Sequence, residues 1–348
     1  MVHAGMEEVG IQAVAGRVLS GLRKDDMALL PPKILATQIR GYGGRHSGRL
    51  SVLRQLVAVN AREAGSAKDP LPSPGSVAWK VHRERVLLLG WGRAILLQFA
   101  HPLVAAAVAD HSPFRMAAWG RLQRLHRTVE AMLQLTFGSV GEVARVAQHI
   151  NAIHDRVQGH LQAPAGLFPA GTAYFAHEPA LLGWVQSTLM DSHLLAYTLY
   201  VGPLTAEERD RYCAEASGMG WHLGIPEGCL PTNLASLQHY MNGMLTSGEI
   251  AVTETARSLA NDLLAPPALG MARPLVWLMH LPAIGLLPPP IRNAYGFPWD
   301  ARKERALRLS VRCVRSLLPF MPPQLRYWSR ARVALRQSVS SRPRGQVA

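Results

Sequence analysis

From residue 85 onward, apolar side chains return at three- and four-residue steps almost without a break, the period of helices packed on a shared core. The pattern predicts helices over residues 85–100, 103–110, 117–136, 140–161, 179–200, 206–223, 233–246, 250–264, 273–281 and 301–318. Local punctuation agrees. Pro102 and Pro179 fall at first-turn positions, where a missing N–H costs nothing, and Thr205 stands before Glu207 and Glu208 as a cap. Gly138, Gly159, Gly202–Pro203, Gly224–Pro226 and Pro266–Pro267 read as stops or turns. No stretch sustains the two-residue alternation of a half-buried strand, so strands are minor at most and the fold class is all-α.

The periodic part has distinct flanks. Residues 1–70 read as an N-terminal extension with one short amphipathic helix near 7–23 and a Gly- and Arg-rich run. "DPLPSPGS", residues 69–76, reads as a linker. Residues 71–320 form the helical domain, and residues 321–348 a basic, flexible tail. Of the 348 residues, 48% are apolar and 17% charged, which suits a folded chain with a sizeable core. Three cysteines, Cys213, Cys229 and Cys313, form no CxxC pair and no even set, which argues against a disulfide framework and a cysteine-built zinc site.

The net charge of +14 is unevenly placed: from Ala301 onward there are twelve Lys/Arg and one acid, Glu304. Such a segment suits a solvated face or a patch for acidic lipid or protein. No helix-turn-helix, zinc finger or RNP-like motif argues for nucleic acid. The apolar region 86–109 is interrupted by Arg93, Gln98, His101 and Pro102, so it reads as a buried helix pair rather than a span of about 20 apolar residues. "PLVWLMHLPAIGLLPPP", residues 274–290, packs on the core or dips into a membrane interface. Glu7 and Glu8 with no following apolar run do not read as a secretory signal. The expected location is cytoplasmic, with peripheral membrane contact through the basic tail.

Four places carry candidate chemistry. In "HINAIHDRVQG", residues 149–159, His154 lies on the apolar face set by Ile150, Ile153 and Val157. It is either a core histidine bonded to a neighbour or the axial ligand of a flat apolar cofactor such as haem, with those aliphatics as lining. In "QFAHPLV", His101 sits at a break between two apolar helices, where it satisfies loose backbone groups or faces a pocket. In residues 119–138, Arg121, Arg124 and Thr128 share one flank of the stripe Leu122, Leu125, Val129, Met132, Leu133 and Thr136, while Arg127 points away to solvent. These three bond haem propionates, oxygen or a polarised intermediate, or else form a polar boundary. In residues 178–197, Asp191 either orients a histidine or pairs with an arginine.

Read in order, "SVAWKVHRERVLLLGWGRAILLQFAHPLVAAAVADHSPFR", the Arg/Thr helix ending in "TFG", "INAIHDRVQG", "ALLGWVQSTLMDSHLLAY" and "VGPLTAEERDRYCAEASGMGWHLGIP" resemble one known family. It is the oxygenase family of the rubber oxygenase (latex clearing protein) catalytic domain and the oxidative-cleavage enzyme of mycophenolic acid biosynthesis. The resemblance covers roughly residues 75–265. It implies a globin-like helical bundle around one haem b, with His154 as the iron ligand. It implies that Arg124 and Thr128, which match the family's spacing, are the active-site pair, with Arg121 on the same flank; Ile150, Val157 and His101 remain cofactor-side candidates from the reading of the residues themselves. The glutamate and lysine of the rubber cleavers' distal pocket find no counterpart. The implied activity is O2-dependent cleavage or hydroxylation of an isoprenoid- or lipid-like substrate held by apolar walls from 86–109 and 179–200. Two rivals stand beside it: a non-enzymatic haem or hydrophobic-ligand binder, and a non-haem iron oxygenase using His101, His154 and Asp191.

Overall fold

The computed structural model describes residues 73–111, 118–264 and 280–340, with the side chains of all these except 118–125 and 337–340. The expected extension over 1–70 with its helix near 7–23, most of the 273–281 helix, and the tail past 340 lie outside the described residues. What is described is helical nearly throughout, as the periodicity predicts.

The axis of the domain is a 22-residue helix, Pro179–Tyr200. Leu181, Trp184, Met190, Leu194, Ala196, Tyr197 and Tyr200 are all buried and lie around its circumference, so it reads as hydrophobic on every side and is wrapped by its neighbours. In chain order the helices before it are α1 (Val77–His82), α2 (Leu88–Phe99), α3 (Pro102–His111), α4 (Ala118–Phe137) and α5 (Val140–His154), and the axial helix is α6. Then follow α7 (Ala206–Gly220), α8 (Leu234–Thr246), α9 (Glu254–Leu264), α10 (Pro289–Ala294), α11 (Ala301–Leu317), α12 (Pro323–Arg326) and α13 (Ser329–Ser340).

α2 makes the closest approach to α6. Gly90 lies against it so tightly that an added Cβ would meet Ala196 Cβ and the Ser192 carbonyl oxygen at 2.9 Å. Between them sits Arg93, buried at 6% exposure and fully partnered. Its Nη1 donates to Ser192 Oγ (2.7 Å), its Nε to the Leu286 carbonyl (2.8 Å), and its Nη2 lies 2.7 Å from Asp191 Oδ2. A buried guanidinium is tolerated because its donors are met. Asp191 is thus a structural partner for an arginine, here Arg93.

α2 and α3 are the apolar pair read from residues 86–109. Together they have the length and composition of a membrane span, but the chain bends by 102° between them. Among the described residues no single helix is long and apolar enough to cross a membrane.

Helix starts follow the expected chemistry. Thr205 and Glu208 form a capping box on α7, Ser139 and Glu142 one on α5, and Asn233 and Ser236 one on α8. Two boundaries differ from the periodic reading. The helix expected over 140–161 stops at His154, and Gln158–His160 pairs antiparallel with Ala173–Phe175 as a two-stranded hairpin. Gly159 is where the strands close: a side chain there would collide with the Tyr174 ring. The helix expected from 250 starts at Glu254, because Ala251 N–H is drawn to the Ala100 carbonyl (2.9 Å) and Thr253 then caps the new start.

The segment after Met321, read from its charge as loose, is helical through Ser340 and docks on the domain. Arg326 makes a bidentate pair with Glu84, which is 1% exposed, and Arg330 bridges Glu130 and Glu142. Composition counted those arginines as solvated, but carboxylates far away in sequence claim them.

Candidate functional site

α5 presents His154. The capping box fixes the helix start, and Val143, Val146, Ala147 and Ile150 seat it against Met132 and Leu135 of α4 and against Met219 and Leu223. Near its end Asn151 Nδ2 donates to the His222 carbonyl at 3.2 Å, tying the last turn to the 3-10 turn Trp221–Leu223. That turn closes on Gly224, whose φ of +80° is a left-handed conformation that favours glycine.

The His154 ring is half-buried, and its Nδ1 is buried with no hydrogen-bond partner among the described residues. Asn151 Oδ1, one turn earlier, is in the same condition. Burial, then the neighbouring His177, push the His154 pKa down to about 4 against the raising effect of Asp155. The ring is therefore neutral near pH 7, the form that ligates metal. His177 stands edge-on with ring centres 5.6 Å apart, and its Nε2 meets Asp155 Oδ1 at 2.9 Å on the surface.

The lining residues divide. Ile150 and Val157 are half-buried, but Ile153 is 41% exposed rather than turned inward. α4 and α5 are joined at the turn Gly138–Ser139 and pack together near it, through Met132 and Leu135 against Val143, Val146, Ala147 and Ile150. Arg121 and Arg124 lie on the first half of α4. The side chains of those two arginines lie outside the described residues. Thr128 is exposed, and so is Arg127, as its position on the helix predicts.

His101 has a backbone task in the fold. It is 3% exposed, and its Nδ1 accepts the Leu103 N–H at 3.2 Å, which makes it the N-cap of α3. Burial lowers its pKa to about 4, keeping that nitrogen an acceptor. His101, His154 and Asp191 are not brought together: one caps α3, one ends α5, and one is bound to Arg93. Among the described residues no group of three or more His, Cys, Asp or Glu side chains is arranged to hold a metal ion.

A second polar centre lies behind the other end of α4. A small crevice of about 20 Å³ is walled by Leu88, Trp91, Met132, Phe137 and Trp328. His82, Thr136 and His193 supply its polar groups. The two imidazoles stand edge to face, 4.8 Å between centres, and Tyr212 Oη lies 3.3 Å from His82 Nε2 and from His193 Nδ1. Burial pushes the pKa of His82 down to about 4 and that of His193 well below its usual range. His193 Nε2 has no partner among the described residues. His193 is a polar residue within the largely apolar α6, and its spacing along that helix does not reveal these partners. His82 and Tyr212 carried no local signal, since they meet across 130 residues of chain.

The described residues thus form a helical domain in which one helix ends on an imidazole whose buried Nδ1 has no partner among them. The family model described as "ER-bound oxygenase mpaB/B'/Rubber oxygenase, catalytic domain" matches residues 79–316. Neither the curated proteins nor the solved structures gave a significant match. The class so defined is an all-helical oxidoreductase domain of the oxygenase type. The chain belongs to the ER-bound oxygenase/rubber oxygenase catalytic-domain family.

Proposed function

We propose that the protein is a haem b-dependent oxygenase acting on a hydrophobic, isoprenoid- or lipid-like substrate, with His154 as the iron ligand. The observation that carries this reading is the His154 imidazole: held by a packed helix end, with its pKa lowered by burial, and with a buried ring nitrogen that has no hydrogen-bond partner among the described residues. Leaving such an atom unpaired costs about 1–3 kcal/mol, which a ligand role accounts for. A bound haem would supply the oxygen chemistry, as cofactors do for reactions that side chains cannot perform.

The residues of the chain do the rest. His154 holds the cofactor from the α5 side, with Ile150 and Val157 as apolar flank. Arg121, Arg124 and Thr128 on α4 offer cationic and hydroxyl donors for propionate carboxylates or for developing negative charge. The apolar faces of α2, α3 and α6 exclude water and suit a substrate with no charge of its own.

Oxygen uptake tests the reading. Protein reconstituted with haem should consume O2 in the presence of an olefinic isoprenoid such as squalene, and mass analysis of products separates carbon–carbon cleavage from hydroxylation. A haem-loaded protein that consumes no oxygen with any olefinic lipid contradicts it. Arg124→Ala and Thr128→Ala should each lower turnover by at least about tenfold while haem stays bound.

A further inference from the structure

The C-terminal segment holds most of the large apolar side chains that the described fold leaves in water. Seven of the eleven lie between residues 309 and 335, and four of them cluster in "LLPFMPPQL", residues 317–325. Phe320 is 85% exposed, Leu317 63%, Leu325 58% and Met321 37%. A contiguous exposed apolar patch of this kind marks an interaction site on a stable fold.

The tip is held rigidly from behind. Leu318 is buried, Met321 N–H donates to the Leu318 carbonyl (3.2 Å), and Leu325 N–H to the Pro322 carbonyl (2.9 Å). The Arg326–Glu84 pair then clamps the far side to the loop after α1. The apolar side chains are displayed on a fixed turn, so little ordering is needed when they bind.

The rim is cationic. Arg305, Arg308, Arg312 and Arg315 on α11 are exposed, and among the described residues only Arg308 of these four pairs with an acid, Glu304 at 3.8 Å. No acidic residue follows Glu304 in the sequence. An apolar wedge edged mainly by arginines matches one surface: phosphate-bearing headgroups above an acyl layer.

We propose that residues 317–325 insert into the surface of an anionic lipid bilayer while the exposed arginines of α11 rest on its headgroups. This does not depend on the haem reading, and it places the domain where apolar substrates dissolve.

The test is co-sedimentation of the full-length protein with vesicles of phosphatidylcholine alone and with about one third phosphatidylserine. Binding should favour the anionic vesicles and weaken as salt rises. Phe320→Ser should bind at least about tenfold more weakly with an unchanged melting temperature. Arg312→Gln with Arg315→Gln should remove the preference for anionic vesicles. Failure to sediment with either vesicle, or equal binding by wild type and Phe320→Ser, overturns the proposal. So does self-association without vesicles that Phe320→Ser abolishes, which would make the tip a contact between copies of the chain.

Discussion

At the scale of single residues, the histidines divide by what surrounds their nitrogens. His101 spends Nδ1 on a helix start, so a residue that also caps should replace it. His101→Asn should fold normally and retain haem, whereas His101→Ala should lose about 1 kcal/mol in urea unfolding. Loss of haem from the Asn variant would return His101 to the cofactor pocket. His82 and His101 are both held to about 4 by burial, while in the unfolded chain they take up protons near 6.5. As pH falls from about 6.5 to 4, the unfolded chain binds protons that the folded chain refuses, so stability declines through that window and is flat above it for these groups. His101→Asn deletes one titration and should shallow the slope of unfolding free energy against pH. Parallel profiles for variant and wild type would contradict the assignment. The half-buried position of His154 was legible in sequence because its helix shows the face it lies on. The His82–Tyr212–His193 centre was not, because spacing along one helix says nothing about contacts between three.

At the scale of elements, the α2–α6 crossing sets the geometry of the core. Gly90→Ala pushes a methyl group against the Ser192 carbonyl and should cost about 1–3 kcal/mol by calorimetry, the price of overpacking. Gly75→Ala, with nothing within 4 Å of its Cβ, is the control and should be near neutral. An unperturbed Gly90→Ala would mean the two helices can part freely. Helix positions followed from periodicity and capping residues, as at Thr205 and Pro179. Two ends did not. α5 stops where a hairpin takes over the chain, and α9 starts late where Ala251 is drawn to Ala100. In both cases a distant backbone group outbids the local helix, which one-dimensional patterning does not register.

At the scale of the whole molecule, composition sees a basic tail, while the structure divides it into arginines that fasten and arginines that stay in water. Glu84→Gln leaves Arg326 half of its pair and should destabilise the domain by about 3–5 kcal/mol in denaturant unfolding. A loss below about 1 kcal/mol would show that the pair is no more than a surface contact. The all-α class was readable from the helical period and the family from motif order, because most residues of those motifs lie on helices. The exposure of Phe320 was not readable, since a Pro-rich apolar run looks the same in sequence whether it is buried or displayed.

The central claim is that His154 holds a haem iron. The visible absorption spectrum of the purified protein, oxidised and then reduced with and without carbon monoxide, tests it directly in wild type and His154→Ala. A Soret band that shifts on reduction and with carbon monoxide in the wild type, and is lost in the variant, is the expected result. An unchanged Soret band in His154→Ala, or iron bound without porphyrin in the wild type, would contradict it.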